Sequence, residues 1–158
     1  MSISCSILLK ENSFINATDL YNVMEKISKE KKFFFAKNMV ESDSENRIKL
    51  IRTNISDRPF RDSVSRQLNV DIYDEPYKFK EISFDWYDNN IVFFEAIVID
   101  SIDGNEDLLF YLTFDFLSLY PEALLWIEED WFYSLKDLEK MNPASIEEDW
   151  CYQNPSEF

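Results

Sequence analysis

The sequence predicts an α+β fold: a mainly antiparallel sheet of about five to seven strands, with two or three helices packed on it. Three observations lead there. The 158 residues are 46% apolar and 16% aromatic, enough for a buried core, and unfolded acidic chains lack Phe, Tyr and Trp in such quantity. Segments of alternating apolar and polar residues outnumber segments with helical spacing. Hairpin connections outnumber possible crossovers, which favours antiparallel pairing. Residues 1–142 read as a single domain and residues 143–158 as a loosely held acidic-aromatic tail.

Ile3, Cys5, Ile7 and Leu9 alternate with smaller or polar residues, the pattern of a first strand. Asn16 or Thr18 then caps a helix with Leu20, Val23, Met24 and Ile27 on one face, and its lysine-rich end at residues 26–32 suits the negative pole of the helix dipole. Residues 33–40 form a second strand, 41–46 a polar turn, and 47–53 the returning strand. Phe60, Val64 and Leu68, spaced by four after Pro59, predict a short second helix. Residues 77–87 alternate as a strand, with Ile82, Phe84 and Trp86 on one face. Asp88, Asn89 and Asn90 make a turn, because Asn and Asp tolerate the left-handed conformation. Residues 91–99 are apolar on both faces apart from Glu95 and predict a central strand. After a hairpin turn at Asp103, Gly104 and Asn105, residues 108–116 read as another strand, with Leu108, Phe110, Leu112, Phe114 and Phe116 aligned. Residues 122–128 fit a strand or one helical turn. Ser134 with Asp137 forms a capping box for a last helix over 135–141, and Pro143 ends it.

Composition removes several chemistries. There is no histidine, so imidazole bases, triads and the commonest transition-metal ligand are missing. A lone glycine, Gly104, rules out a glycine-rich phosphate cradle. Cys5 and Cys151 lack an activating partner and read as a reduced pair. No apolar stretch is long enough to span a bilayer, and the start of the chain lacks a basic leader; a cytoplasmic, non-membrane protein is expected. A non-enzymatic role without cofactor or metal follows as the expectation. Residues 100–107 superficially suggest a calcium loop, but Ile102 and Gly104 stand where oxygen ligands are needed.

Charge is the most informative feature. Residues 1–70 hold 12 Lys/Arg and 9 Asp/Glu, a net of +3; residues 71–158 hold 4 and 22, a net of −18, giving the chain its −15. Clustered negative charge attracts basic surfaces and repels nucleic acid and anionic lipid. The arginines and lysines among residues 47–66 are interspersed with acids and read as a solvated or internally paired set, not a nucleic-acid site. The expected partner is therefore a basic protein.

Two constellations carry that expectation. Residues 127–133 read Ile-Glu-Glu-Asp-Trp-Phe-Tyr and residues 146–152 read Ile-Glu-Glu-Asp-Trp-Cys-Tyr, identical at six of seven positions. Each copy offers three carboxylates beside an indole: Glu128, Glu129, Asp130 and Trp131, then Glu147, Glu148, Asp149 and Trp150. Carboxylates accept charge-assisted hydrogen bonds from Arg and Lys while an aromatic ring fills a pocket. The alternative is that both indoles pack inward while the acids stay hydrated. The second constellation is Asp85, Asp88 and Asp115, expected on one polar rim of the sheet.

In size, acidity, absence of catalytic residues and these acidic-aromatic segments, the chain resembles the immunity proteins with which bacteria neutralise toxins. The resemblance implies an inhibitor of a cognate toxin, often a nuclease, whose basic cleft the acidic surface occludes. Two other readings compete: a nucleic-acid mimic with carboxylates at phosphate spacing, and a carboxylate-metal enzyme holding magnesium with Asp85, Glu95 and Asp115.

Overall fold

The computed structural model describes residues 3–10, 15–60, 66–74, 80–141 and 146–157. Alternation makes Cys5–Lys10 the strand β1, and Asn16, whose side chain accepts from the Asp19 N–H, starts helix α1 (Ala17–Glu30) with Leu20, Met24 and Ile27 buried. The hairpin β2 (Phe34–Ser42) and β3 (Ile48–Ser56) follows. Its turn is held by Asp43, whose carboxylate accepts from the N–H groups of Glu45 and Arg47, and Asn46 takes the left-handed conformation. β4 (Gln67–Tyr73), the short β5 (Glu81–Ile82) and β6 (Phe93–Asp100) precede helix α2 (Glu106–Leu119), β7 (Leu124–Trp126) and helix α3 (Leu135–Glu139).

The strands form one antiparallel sheet in the order β2-β3-β4-β6-β1-β7, with β5 beside the first residues of β6. The fold is α+β, as the sequence predicts. Because β6 and β7 both run antiparallel to β1, they are parallel to each other and need a crossover connection, which α2 supplies. α1 carries the chain from β1 to β2 in the same way. Both helices lie on one face, where Ile7, Leu9, Ile55, Val70, Ile72, Phe94 and Ile97 of the sheet meet Leu20, Met24, Leu109, Leu112 and Phe116.

Four local expectations are corrected. The short helix over Phe60, Val64 and Leu68 is overturned at its end: Leu68, Val70 and Ile72 are buried at alternate positions of β4, while Val64 lies outside the described residues. The strand at 108–116 is helix α2. Its buried set, Leu108, Leu109, Phe110, Leu112, Thr113, Phe116 and Leu117, contains the helical spacing 109, 112, 113, 116, but the run is so apolar that it satisfies alternation as well. The turn at residues 103–104 consequently opens a helix, not a hairpin. The strand at 77–87 shrinks to β5, followed by turns; residues 77–79 lie outside the described set.

The fourth correction concerns residues 146–157, which are anchored where a loose tail was expected. Trp150 and Cys151 are buried in the main core. The Trp150 indole packs edge-on against Phe110 and Tyr133 and donates to the Glu106 carbonyl at 2.8 Å. Tyr133 in turn donates its hydroxyl to the Gln153 carbonyl. The two sequence echoes thus pack on one another.

Asp74, buried just past β4, links three elements. It accepts from the Ala17 N–H at 2.9 Å in the first turn of α1, lies 3.2 Å from the Arg47 guanidinium, and donates its own N–H to the Lys49 carbonyl. A carboxylate at a helix N-terminus satisfies an orphan donor and complements the dipole. Arg47 is largely exposed, so the hydrogen bond outweighs the ion pair. Asp74→Ala should lower unfolding free energy by about 2 kcal/mol in urea titrations, while Asp74→Asn, which keeps the acceptor, should lose less than about 1 kcal/mol.

Candidate functional site

Leu8 of β1 and Phe93 of β6 point away from the helices, and both need cover. Loops supply it. Phe84, from the turn after β5, packs on Phe93, Trp126 and Phe132 with ring centroids 6.1, 4.9 and 5.1 Å away. Trp86 and Tyr87 continue outward over Phe132, at 4.7 and 5.2 Å. The result is an aromatic cluster graded from a dry base to a solvent-facing rim: Phe84 and Phe93 are buried, while Trp86 is 37% and Tyr87 52% exposed. Offset and edge-to-face ring pairs of this kind contribute about 0.5–1.5 kcal/mol each beyond area burial, so the exposed rings sit on a rigid base.

The same two segments carry acids. Asp85 and Asp88 are exposed in the first; Glu128, Glu129 and Asp130 are exposed in the second. Asp88 accepts from the Asn90 N–H, which fixes its turn. Glu128 adopts positive φ and accepts from the Ser4 hydroxyl, and the Glu129 carbonyl accepts from the Trp126 indole at 2.9 Å, which pins the loop to β7. Beyond the cluster the same sheet face becomes polar. There Glu95 accepts from Ser6 at 2.9 Å, and Asp71 lies 3.8 Å from Arg52. Burial raises the Asp71 carboxyl above its ordinary value; Arg52 opposes this and the nearby Asp100 charge adds to it.

The remaining sequence candidates lie elsewhere. Asp115 is on α2, across the sheet from Asp85 and Asp88, and pairs with Lys31 at 3.6 Å. The expected rim of Asp85, Asp88 and Asp115 is therefore not assembled, and neither is the magnesium trio of Asp85, Glu95 and Asp115; the error follows from reading α2 as a strand. Among the described residues no group of three or more Cys, Asp or Glu is placed to hold a metal ion. Trp131 is half-buried against the main core, and Trp150 is inaccessible as an anchor. Glu147 and Glu148 are exposed and line a polar depression of about 300 Å³ with Arg66, Gly104, Glu106 and Asp107; Asp149 follows them, also exposed. Sequence reading missed Phe84, Trp86, Tyr87 and Phe132 as parts of the site. Two adjacent aromatics, Trp86 and Tyr87, beside a turn were the available signal, since a ring in a turn has little to bury it.

The basic half is largely consumed internally. Arg66 makes paired hydrogen bonds to Asp107 at 3.0 and 3.1 Å and also holds Asp57; Arg47 and Arg52 meet Asp74 and Asp71. Beyond position 70, ion pairs among the described residues engage Asp71, Asp74, Asp107 and Asp115, whereas neither acidic triplet forms one. Both thiols are free and buried; burial pushes Cys5 well up and Cys151 to about 12, which leaves them unreactive. No helix of the described residues is long and apolar enough to cross a membrane.

Burial likewise raises Asp115, with Lys31 offsetting part of the effect. With Asp71 and Asp115 both raised, the native state binds more protons than the unfolded chain, whose carboxyls titrate at about 3.9. Stability from these groups therefore rises as pH falls from neutral toward that value. Asp57 is lowered: burial works against the shift, but hydrogen bonds and charge from Arg66 outweigh it, so its contribution is lost only at more acid pH. Urea midpoints should rise as pH is lowered from neutral toward about 4, and Asp71→Asn combined with Asp115→Asn should reduce that rise.

Neither a protein-family model, a curated protein nor a solved structure matches the chain.

Proposed function

We propose that the protein is a cytoplasmic, non-enzymatic inhibitor that binds a basic protein partner, in the manner of immunity proteins that neutralise a cognate toxin. One observation carries the reading: Trp86 and Tyr87 stand exposed on a packed aromatic base, and the segments that hold them and Phe132 also hold Asp85, Asp88, Glu128, Glu129 and Asp130. A central aromatic anchor inside a charged rim is the composition of a protein-binding hot spot. Carboxylates that make no internal ion pair remain available to a partner's Arg and Lys. Their field speeds encounter, and aromatic anchoring slows release. An inhibitor needs both properties.

The direct test is to search the neighbouring genes for a toxin domain and co-express any such domain with this protein, followed by titration of the two purified proteins. Protection from toxicity and a tight complex are expected; absence of both would sink the reading.

Two variants divide the labour. Replacing Glu128, Glu129 and Asp130 by Lys should slow association by about tenfold or more and flatten its salt dependence, with folding stability changed by less than about 0.5 kcal/mol, because all three are exposed. Trp86→Ala and Tyr87→Ala should each weaken binding by about 2 kcal/mol or more, chiefly through faster dissociation in surface plasmon resonance.

A further inference from the structure

Among the exposed apolar side chains outside the core and the aromatic cluster, three share one element: Phe34, Met39 and Val40, at 42, 41 and 41% exposure. All three are on β2, which ends the sheet. Edge strands expose unpaired backbone groups, and folded proteins blunt them by shortness, cover, charge or bulges. The opposite edge follows that rule. β7 has three residues, and Leu125 exchanges both backbone hydrogen bonds with Tyr133. β2 is interrupted by register shifts between Lys37 and Met39 and between Glu41 and Ser42, and it carries two charges. Yet it has nine residues, about 30 Å of strand, and among the described residues nothing pairs with its outer side. Lys37, the one basic residue of β2, is drawn over the Tyr21 ring of α1, 5.6 Å from its centroid.

We infer that the outer edge of β2 is a self-association surface, on which two copies pair antiparallel about a two-fold axis normal to the sheet. The occupant is argued from register. Directly opposed residues share a face, so Phe35 and Val40, opposite Ile55 and Ile51, face the helices; Ala36, Met39 and Glu41, opposite Asn54, Arg52 and Leu50, face the other way. The irregularity at Asn38 shifts this alternation by one residue. A two-fold axis between Lys37 and Asn38 therefore matches faces on both sides. It sets Phe35 against Val40 and Ala36 against Met39 of the second copy, and symmetry repeats each apolar pair. A regular strand could not pair with itself in that register.

Charge does not oppose this edge. β2 holds one Lys and one Glu, a net of zero, on a chain of net −15. Approach along β2 keeps the two acidic regions apart, and the residual repulsion between copies is screened by salt. Self-association should therefore tighten with ionic strength, opposite to binding of a basic partner.

Sedimentation of the full chain from micromolar to submillimolar concentration, at low and high salt, tests the inference. A reversible dimer is expected, together with concentration-dependent hydrogen-exchange protection of β2 amides. Met39→Lys combined with Val40→Lys should weaken the dimer by at least about tenfold while circular dichroism and the urea midpoint show an intact fold. A wild-type chain that stays monomeric throughout overturns the proposal. So does a dimer that the two lysines leave unchanged, or one whose β2 amides gain no protection.

Discussion

The strand β6 must be covered on both sides, and the rest of the molecule answers that demand. Phe93 and Phe94 are adjacent, buried and directed to opposite faces of the sheet. The two crossover helices lie on one face, so neither can cover Phe93. Cover on the second face comes from Phe84, Ile91 and Phe132 of the loops, beside Ile82, Leu124 and Trp126 of the short strands β5 and β7. The outermost rings, Trp86 and Tyr87, then have nothing above them. The exposed aromatic surface is thus a consequence of how the core is closed, and any docking function built on it inherits a rigid support.

The electrostatic division between the halves of the sequence becomes a division between structure and surface. Arginines of the first half act as internal fasteners: Arg66 ties the start of β4 to the first turn of α2, Arg52 holds Asp71, and Arg47 accompanies Asp74. Arg47 and Arg52 each neutralise an acid that burial would otherwise penalise. Eight of the eighteen acids left over beyond position 70 lie on segments 85–88, 128–130 and 147–149, in or beside turns and bends. A helix or strand interior would force such charges together, whereas turns splay them into water. The negative field is then available at long range without being paid back as local strain.

Much of the fold was legible in the sequence, and the failures share a cause. β1, α1, the β2–β3 hairpin, β6 and the Ser134–Asp137 capping box were each marked by a periodicity or a cap that only one structure satisfies. The misread segments satisfied two. Residues 108–116 are apolar at alternate and at helical positions alike, and the deciding fact, that β6 and β7 run parallel across β1, is a property of the whole sheet. Leu68 completed a four-residue spacing with Phe60 and Val64 but belonged to the alternation of β4. The site was legible in part. Charge pointed to Glu128, Glu129 and Asp130, but identical echo sequences gave no hint that Trp150 would be buried while Trp131 stayed half-exposed. That difference depends on the room beside Phe110 and Tyr133, which only tertiary packing creates.

The two surfaces proposed for this molecule are geometrically independent, and this bears on how they would act together. The aromatic-acidic surface lies on the sheet face, whereas the β2 edge lies in the plane of the sheet at its far end. A two-fold axis normal to the sheet leaves the helices of both copies on one side and both aromatic clusters on the other. Neither contact obstructs the other, so a dimer would present two identical docking surfaces in the same direction. Against a single-site partner such an arrangement gains nothing beyond doubled capacity. Against a partner that is itself two-fold, the second engagement becomes intramolecular and raises avidity by about 10²–10⁴ when the spacing matches. On the proposed function, the symmetry of the partner, not its charge alone, would decide whether self-association adds to binding.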